Sequence, residues 1–151
     1  MLTQKNGYGC GLYAVANVLG LKHFVTSERL EESKNGINHG KLSKFLQDIG
    51  LSLFIDVLYC DTQKSSIPES WCFLYSENPG SSIPILIQCK FGEKFHLMGA
   101  LLLNEPGKIK LFDSLKTEPI YCTLSDVNTM YENVVALYSI NKLDTSDYIA
   151  I

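Results

Sequence analysis

A thiol, an imidazole and a carboxylate in this 151-residue chain occupy positions suited to acyl transfer. Cys10 lies where the glycine-rich loop Gly7-Tyr8-Gly9 meets an apolar helical pattern. At a helix N-terminus the unsatisfied N–H groups and the dipole favour thiolate, the nucleophilic form. Gly9 and Gly11 on either side leave backbone room for a substrate to approach. A cysteine packed as a small hydrophobe needs none of these features, and local context leaves both readings of Cys10 open.

A thiolate nucleophile requires a base that becomes its ion-pair partner and later protonates a leaving amine. His23 follows the first helical pattern and His39 stands in Ile37-Asn38-His39-Gly40, both loop or surface settings. His96 instead opens the apolar run Phe95-His96-Leu97-Met98-Gly99-Ala100, where a strand would hold it and partly desolvate it. A hydrogen-bonded core histidine is the other reading. Asp113 closes the next run, Lys108–Phe112, and by alternation shares the face of Ile109 and Leu111. In an antiparallel hairpin the end of the second strand lies beside the start of the first, which brings Asp113 to His96. A carboxylate there would fix the imidazole tautomer, although Asp113-Ser114 also reads as a simple turn. For an oxyanion, the Cys10 N–H offers one donor and the Gln4 amide, six residues upstream, a second. A glutamine at that place can equally be solvated surface.

The elements that must position these groups change character near residue 50. Leu12, Val15, Ala16 and Leu19 predict a helix from Cys10 or Gly11 to Leu19, stopped by Gly20. Thr26 or Ser27 caps a short helix through Lys34. A third runs from about Gly40 to Asp48 with Leu42, Phe45, Leu46 and Ile49 on its buried side. Apolar runs of strand length follow at Leu51–Leu58, Ile83–Cys89, Phe95–Leu103, Lys108–Phe112 and Val134–Ile140. Asn104-Glu105-Pro106-Gly107 predicts the turn of a hairpin, and Thr123 to Asp126 offers caps for a short helix. Helices first and an antiparallel sheet afterwards make an α+β domain spanning 1–151.

Composition narrows the function classes. Apolar residues at 46% and charged residues at 19% describe a globular chain able to bury roughly two-thirds of its unfolded surface. Net charge is −3 and Arg29 is the sole arginine, so nucleic-acid binding is not expected. Five cysteines without CxxC spacing argue against a disulfide framework or a zinc site; no cofactor or metal is expected. Cys60, Cys72, Cys89 and Cys122 read as buried small hydrophobes. Leu97–Leu103 is the longest apolar run, far too short to span a bilayer, and a reducing cytoplasm suits unpaired thiols.

The segment Gln4-Lys5-Asn6-Gly7-Tyr8-Gly9-Cys10-Gly11-Leu12-Tyr13-Ala14 resembles the Gln-x5-Cys-Gly-x-x-Ala signature of the bacteriocin-processing (double-glycine) peptidases, relatives of papain. The His motif is similar as well: in that family a His opens an apolar strand and an Asp or Asn ends the next, about seventeen residues on, as His96 and Asp113 do here. Ile83-Pro84-Ile85-Leu86-Ile87 resembles the strand preceding the His strand. The resemblance spans nearly the whole chain. It implies a papain-like fold with Cys10 as nucleophile, His96 as general base and acid, Asp113 as orienting residue and Gln4 as oxyanion donor. Where the family often has Asp before the nucleophile and Asp-Pro at the third position, this chain has Gly9 and Asp113-Ser114, which removes no catalytic atom. Many members are the N-terminal domain of a membrane exporter; no transporter segment follows here, so a freestanding cysteine endopeptidase is expected. Its substrate would be a peptide or protein: a leader, a viral or phage precursor, or an isopeptide. The absence of a Gly-Gly pair excludes self-cleavage at such a site. Two alternatives share the pattern: an acyltransferase or transglutaminase, and a non-catalytic peptide-binding module.

Overall fold

Three helices precede the sheet. α1 (Cys10–Leu19) is bounded by glycines in the left-handed region, Gly9 (φ 91°) and Gly20 (φ 67°). α2 (Ser27–Glu32) starts at Thr26, whose hydroxyl accepts from the Arg29 N–H, and stops short of the expected Lys34. There the Ser33 hydroxyl donates to the Leu30 carbonyl. α3 (His39–Asp48) is capped by the Asn38 side chain. His39 is therefore the first residue of a helix and not a turn residue, and its ring stacks on Tyr138 at 5.4 Å. The computed structural model describes residues 1–5, 7–60, 82–103, 105, 107–131 and 133–142.

Six strands form one antiparallel sheet: β1 (Leu53–Cys60), β2 (Ile83–Phe91), β3 (Lys94–Leu102), β4 (Lys108–Phe112), β5 (Ile120–Thr123) and β6 (Asn133–Lys142). A short helix, α4 (Leu124–Met130), joins β5 to β6 through a capping box in which Thr123 and Asp126 bond each other's backbone. The order across the sheet is β1-β6-β2-β3-β4-β5, so the last strand inserts between the first two. β5, which pairs β4 from Lys108↔Thr123 to Leu111↔Ile120, was not anticipated. Four residues at a sheet edge, with Tyr121 exposed, are too few to establish an alternation. The expected hairpin is present as β3 and β4, paired from Gly99↔Phe112 to Leu102↔Ile109. Asn104 and Pro106 of its turn lie outside the described residues. An α+β architecture is thus observed.

Strand alternation divides the interior in two. On one face Ile85, Ile87, Cys89, Met98, Ala100, Ile109 and Leu111 pack beneath Leu124, Val127 and Tyr131 of the α4 region. On the other, Leu86 and Phe112 pack with Leu12, Val15, Leu42, Phe45 and Leu46 of α1 and α3. The approach of α1 to β3 is close enough to demand a glycine: a Cβ on Gly99 would stand 2.6 Å from the Ala14 carbonyl oxygen.

Among the described residues no helix is long and apolar enough to cross a membrane, and no group of His, Cys, Asp and Glu could hold a metal. Of the cysteines expected to be buried, Cys89 is, whereas Cys60 and Cys122 are only half-buried. They sit on β1 and β5, the two edge strands, which are covered least. Cys72 lies outside the described residues.

Candidate active site

The N-terminal segment is pinned at two points before α1 begins. The Asn17 side chain bonds the backbone N–H and carbonyl of Leu2, at 2.6 and 3.0 Å. The Gln4 N–H donates to the Ser114 carbonyl at 2.7 Å. This strap brings Gln4 to the end of β4, directly after Asp113. Among the described residues no side chain caps α1, and no acidic residue stands in its first turn. Its N-terminal donors are therefore left to the thiol of Cys10, which the Gly11 N–H reaches.

The glycines around Cys10 line the smaller of two cavities at the thiol, and packing restricts them as well. Gly9 is buried, and a Cβ there would meet Leu30 at 2.6 Å in a backbone conformation that already favours glycine. A Cβ on Gly11 would meet Ile37 at 3.1 Å. Internal packing is thus a second requirement for them, beside the backbone room read in the sequence.

Cys10, His96 and Asp113 form one hydrogen-bonded chain. His96 Nε2 lies 2.7 Å from Asp113 Oδ1, which leaves Nδ1 for the Cys10 thiol, also a hydrogen-bond partner. His96 is 8% exposed and Asp113 1%. By alternation both belong to the face of Met98, Ala100, Ile109 and Leu111, the arrangement expected from the hairpin.

Electrostatics sharpen the pairing. Burial alone would push the Cys10 thiol up, but hydrogen bonds from His96 and the Leu97 and Gly11 N–H groups, with the charge of His96, hold it below the ordinary thiol value. Burial pulls His96 down, yet its bonds to Asp113 and Cys10 and their charges prevail and lift it to about 9. Asp113 is likewise held below the usual carboxylate range, against burial, by His96, Tyr131 and the Leu115 N–H. Both shifts run in the direction that favours a thiolate–imidazolium pair over the neutral pair. Cys89 is a contrast within the same sheet. It faces His96 across β2 and β3, but burial and the Asp113 charge push its thiol up to about 12, leaving it inert.

Two parts of this site were not anticipated. The Tyr131 hydroxyl, from the residue after α4, donates to Asp113 Oδ2, while the Leu115 N–H donates to Oδ1 at 3.0 Å. The buried Ser114 hydroxyl donates to Gln4 Oε1 at 2.8 Å, and Gln4 Nε2 donates to the Tyr8 carbonyl at 3.2 Å. Bonding to both ends of the amide fixes its orientation beside Cys10 and Asp113. The place of Ser114 next to Asp113 was a signal available in the sequence. Tyr131 offered none, since its role depends on α4 folding over the Asp113 face of the sheet.

A cavity lies on each side of the thiol. One, of about 450 Å³, is walled by Gly36, Ile37, Leu42, Leu97 and Tyr138; the other, of about 660 Å³, by Gln4, His96, Asp113, Leu115 and Tyr131. Cys10 and Phe95 border both. His23 is exposed and His39 is on the wall of the smaller cavity, so neither joins the chain of Cys10. No family model and no curated protein matches this sequence.

Proposed function

We propose that the chain is a papain-like cysteine peptidase, similar to the double-glycine peptidases, that hydrolyses a peptide bond through Cys10, His96, Asp113 and Gln4. The observation that carries this reading is the hydrogen-bonded chain of Cys10, His96 and Asp113, whose contacts lower the Cys10 thiol and raise the His96 imidazole. A structural thiol such as Cys89 goes the other way. In the proposed reaction the Cys10 thiolate forms a C–S bond to the scissile carbonyl carbon. The resulting oxyanion accepts from the Gln4 amide and the Cys10 N–H. His96 gives its proton to the amide nitrogen, the C–N bond breaks, and the amine leaves. Water, deprotonated by His96, then attacks the thioester, and loss of the acid restores the ion pair. Asp113, fixed by Tyr131, keeps the imidazole ring aligned throughout.

Iodoacetamide at mildly acidic pH tests the ion pair: Cys10 should be alkylated well ahead of the other four cysteines. Equal, slow alkylation of all five would favour a non-catalytic binding module. Internally quenched peptide libraries test turnover, and Cys10→Ala should abolish it while the protein stays folded. Full hydrolysis by purified Cys10→Ala would end this reading, and transfer of the acyl group to an added amine in preference to water would reassign the reaction to acyl transfer.

A further inference from the structure

We infer that the leaving-group side of the site selects an apolar residue followed by a carboxylate, a specificity that rests on the peptidase reading and extends it. The direction of the cleft follows from the chemistry. His96 must protonate the departing amine, so the part of a substrate beyond the scissile bond lies on the His96 side of Cys10. The larger cavity is the one lined by His96, Asp113 and Gln4, whereas the smaller is lined by none of them.

That larger cavity concentrates exposed apolar surface. Phe95 is 57% exposed, Leu115 60% and Met130 45%, and all three line it together with Ile120. These are among the few large apolar side chains left open to water in the described residues, and they share one concavity. Exposure of this kind marks a surface that is covered in use.

Charge defines what covers it. Lys94 and Lys116 line the same cavity, and among the described residues neither ammonium has a carboxylate within ion-pair distance. Their acidic sequence neighbours, Glu93 and Glu118, are not part of the lining. Among the described residues that line it the only carboxylate is Asp113, buried and already bonded to His96, Tyr131 and Leu115. On a chain of net charge −3, two cations without an ion-pair partner among the described residues, at the rim of an apolar basin, fit an occupant with an apolar side chain and an adjacent negative charge. An acidic side chain and the free C-terminus of a short leaving peptide both supply that carboxylate.

Internally quenched peptides, randomised on the acyl side, with Leu first and Glu, Gln or Lys second after the scissile bond, read the preference. Glu should exceed Lys in kcat/KM by about tenfold, the scale of two exposed charge pairs acting together. The double variant Lys94→Glu with Lys116→Glu should reverse that order. A series ending in Leu-Glu-amide, Leu-Gln-amide or Leu-Gln with a free carboxylate separates the side-chain source from the terminal one. Cleavage that is indifferent to the second residue, or that favours Lys, would overturn the inference while leaving the peptidase reading intact.

Binding provides an arm independent of turnover. Leu-Glu-Ala-amide, the form of a departing product, should bind Cys10→Ala in calorimetry about tenfold more tightly than it binds the same protein carrying both lysine reversals. Such binding without any hydrolysis by the wild type would count against the peptidase alone. Equal affinity, or no binding to either protein, would overturn the carboxylate preference.

Discussion

Replacing Tyr131 with Phe removes one oxygen and almost no volume, so its effect isolates a single hydrogen bond. The Tyr131 hydroxyl donates to Asp113 Oδ2, inside a site where Asp113 is only 1% exposed. A bond to a buried ionised partner contributes about 2 kcal/mol, because the carboxylate loses its donor without regaining water. For a chain of this length that corresponds to a fall of about 4–8 °C in Tm. The pH dependence is the more specific signature. Asp113 is held below its ordinary pKa, so its contribution to stability is present above the unfolded value and lost as pH falls through the folded one. Without Tyr131 the folded value moves up towards normal, and the stability difference between wild type and Tyr131→Phe should narrow on acidification. Urea unfolding at neutral pH and at pH 3 measures both quantities. The acid limb of iodoacetamide alkylation at Cys10 should also move, since the imidazolium loses its charged partner at a higher pH. Equal stabilities at neutral pH with superimposable alkylation profiles would refute the assignment of Tyr131 to Asp113.

Further outcomes follow from the same geometry. His96 is raised from 6.5 to about 9, so its stabilising contribution is fully present below about 6.5 and fades as pH rises through about 9. Turnover should therefore climb as Cys10 ionises, below the ordinary thiol value, and decline near pH 9; one inflection at an unperturbed thiol pKa would contradict the ion pair. Gln4→Ala should reduce kcat by about a hundredfold, the cost of one oxyanion donor, with rates from progress curves. Ser114→Ala should cost about fivefold in kcat by releasing the Gln4 amide, equivalent to about 1 kcal/mol, with little change in KM. Gly99→Ala should destabilise the fold by about 3 kcal/mol in urea titration, because the new methyl meets the Ala14 backbone oxygen and not a movable side chain.

Local signals located most of the elements that hold the site. Apolar spacing and Gly20 bracketed α1, alternation placed Asp113 on the Ile109 and Leu111 face, and hairpin geometry joined it to His96 across β3 and β4. These are nearest-neighbour properties of the chain. The insertion of β6 between β1 and β2 is not, because strand order depends on which edges meet after collapse. The same limit hid Tyr131: its partner lies eighteen residues away, and the contact exists only once α4 covers the sheet. Gly9 and Gly11 were recognisable as special, but their packing against Leu30 and Ile37 was not, since those segments approach in a way no local pattern encodes.

The tight seat of α1 on β3 bears on how such a molecule can diversify. Gly99 lets the thiol-bearing helix, through Ala14 and Val18, rest directly against the strand that carries the imidazole, with no side chain of its own to act as a spacer. The spacing of the thiol and the imidazole thus depends on that close seat, and a larger residue at the seam would disturb it directly. For the peptidase proposed above, change in substrate preference would fall on the walls instead: Ile37 and Tyr138 in one cavity, Leu115 and Met130 in the other. A lineage carrying this scaffold can exchange what it grips while the spacing of its reactive atoms stays inherited.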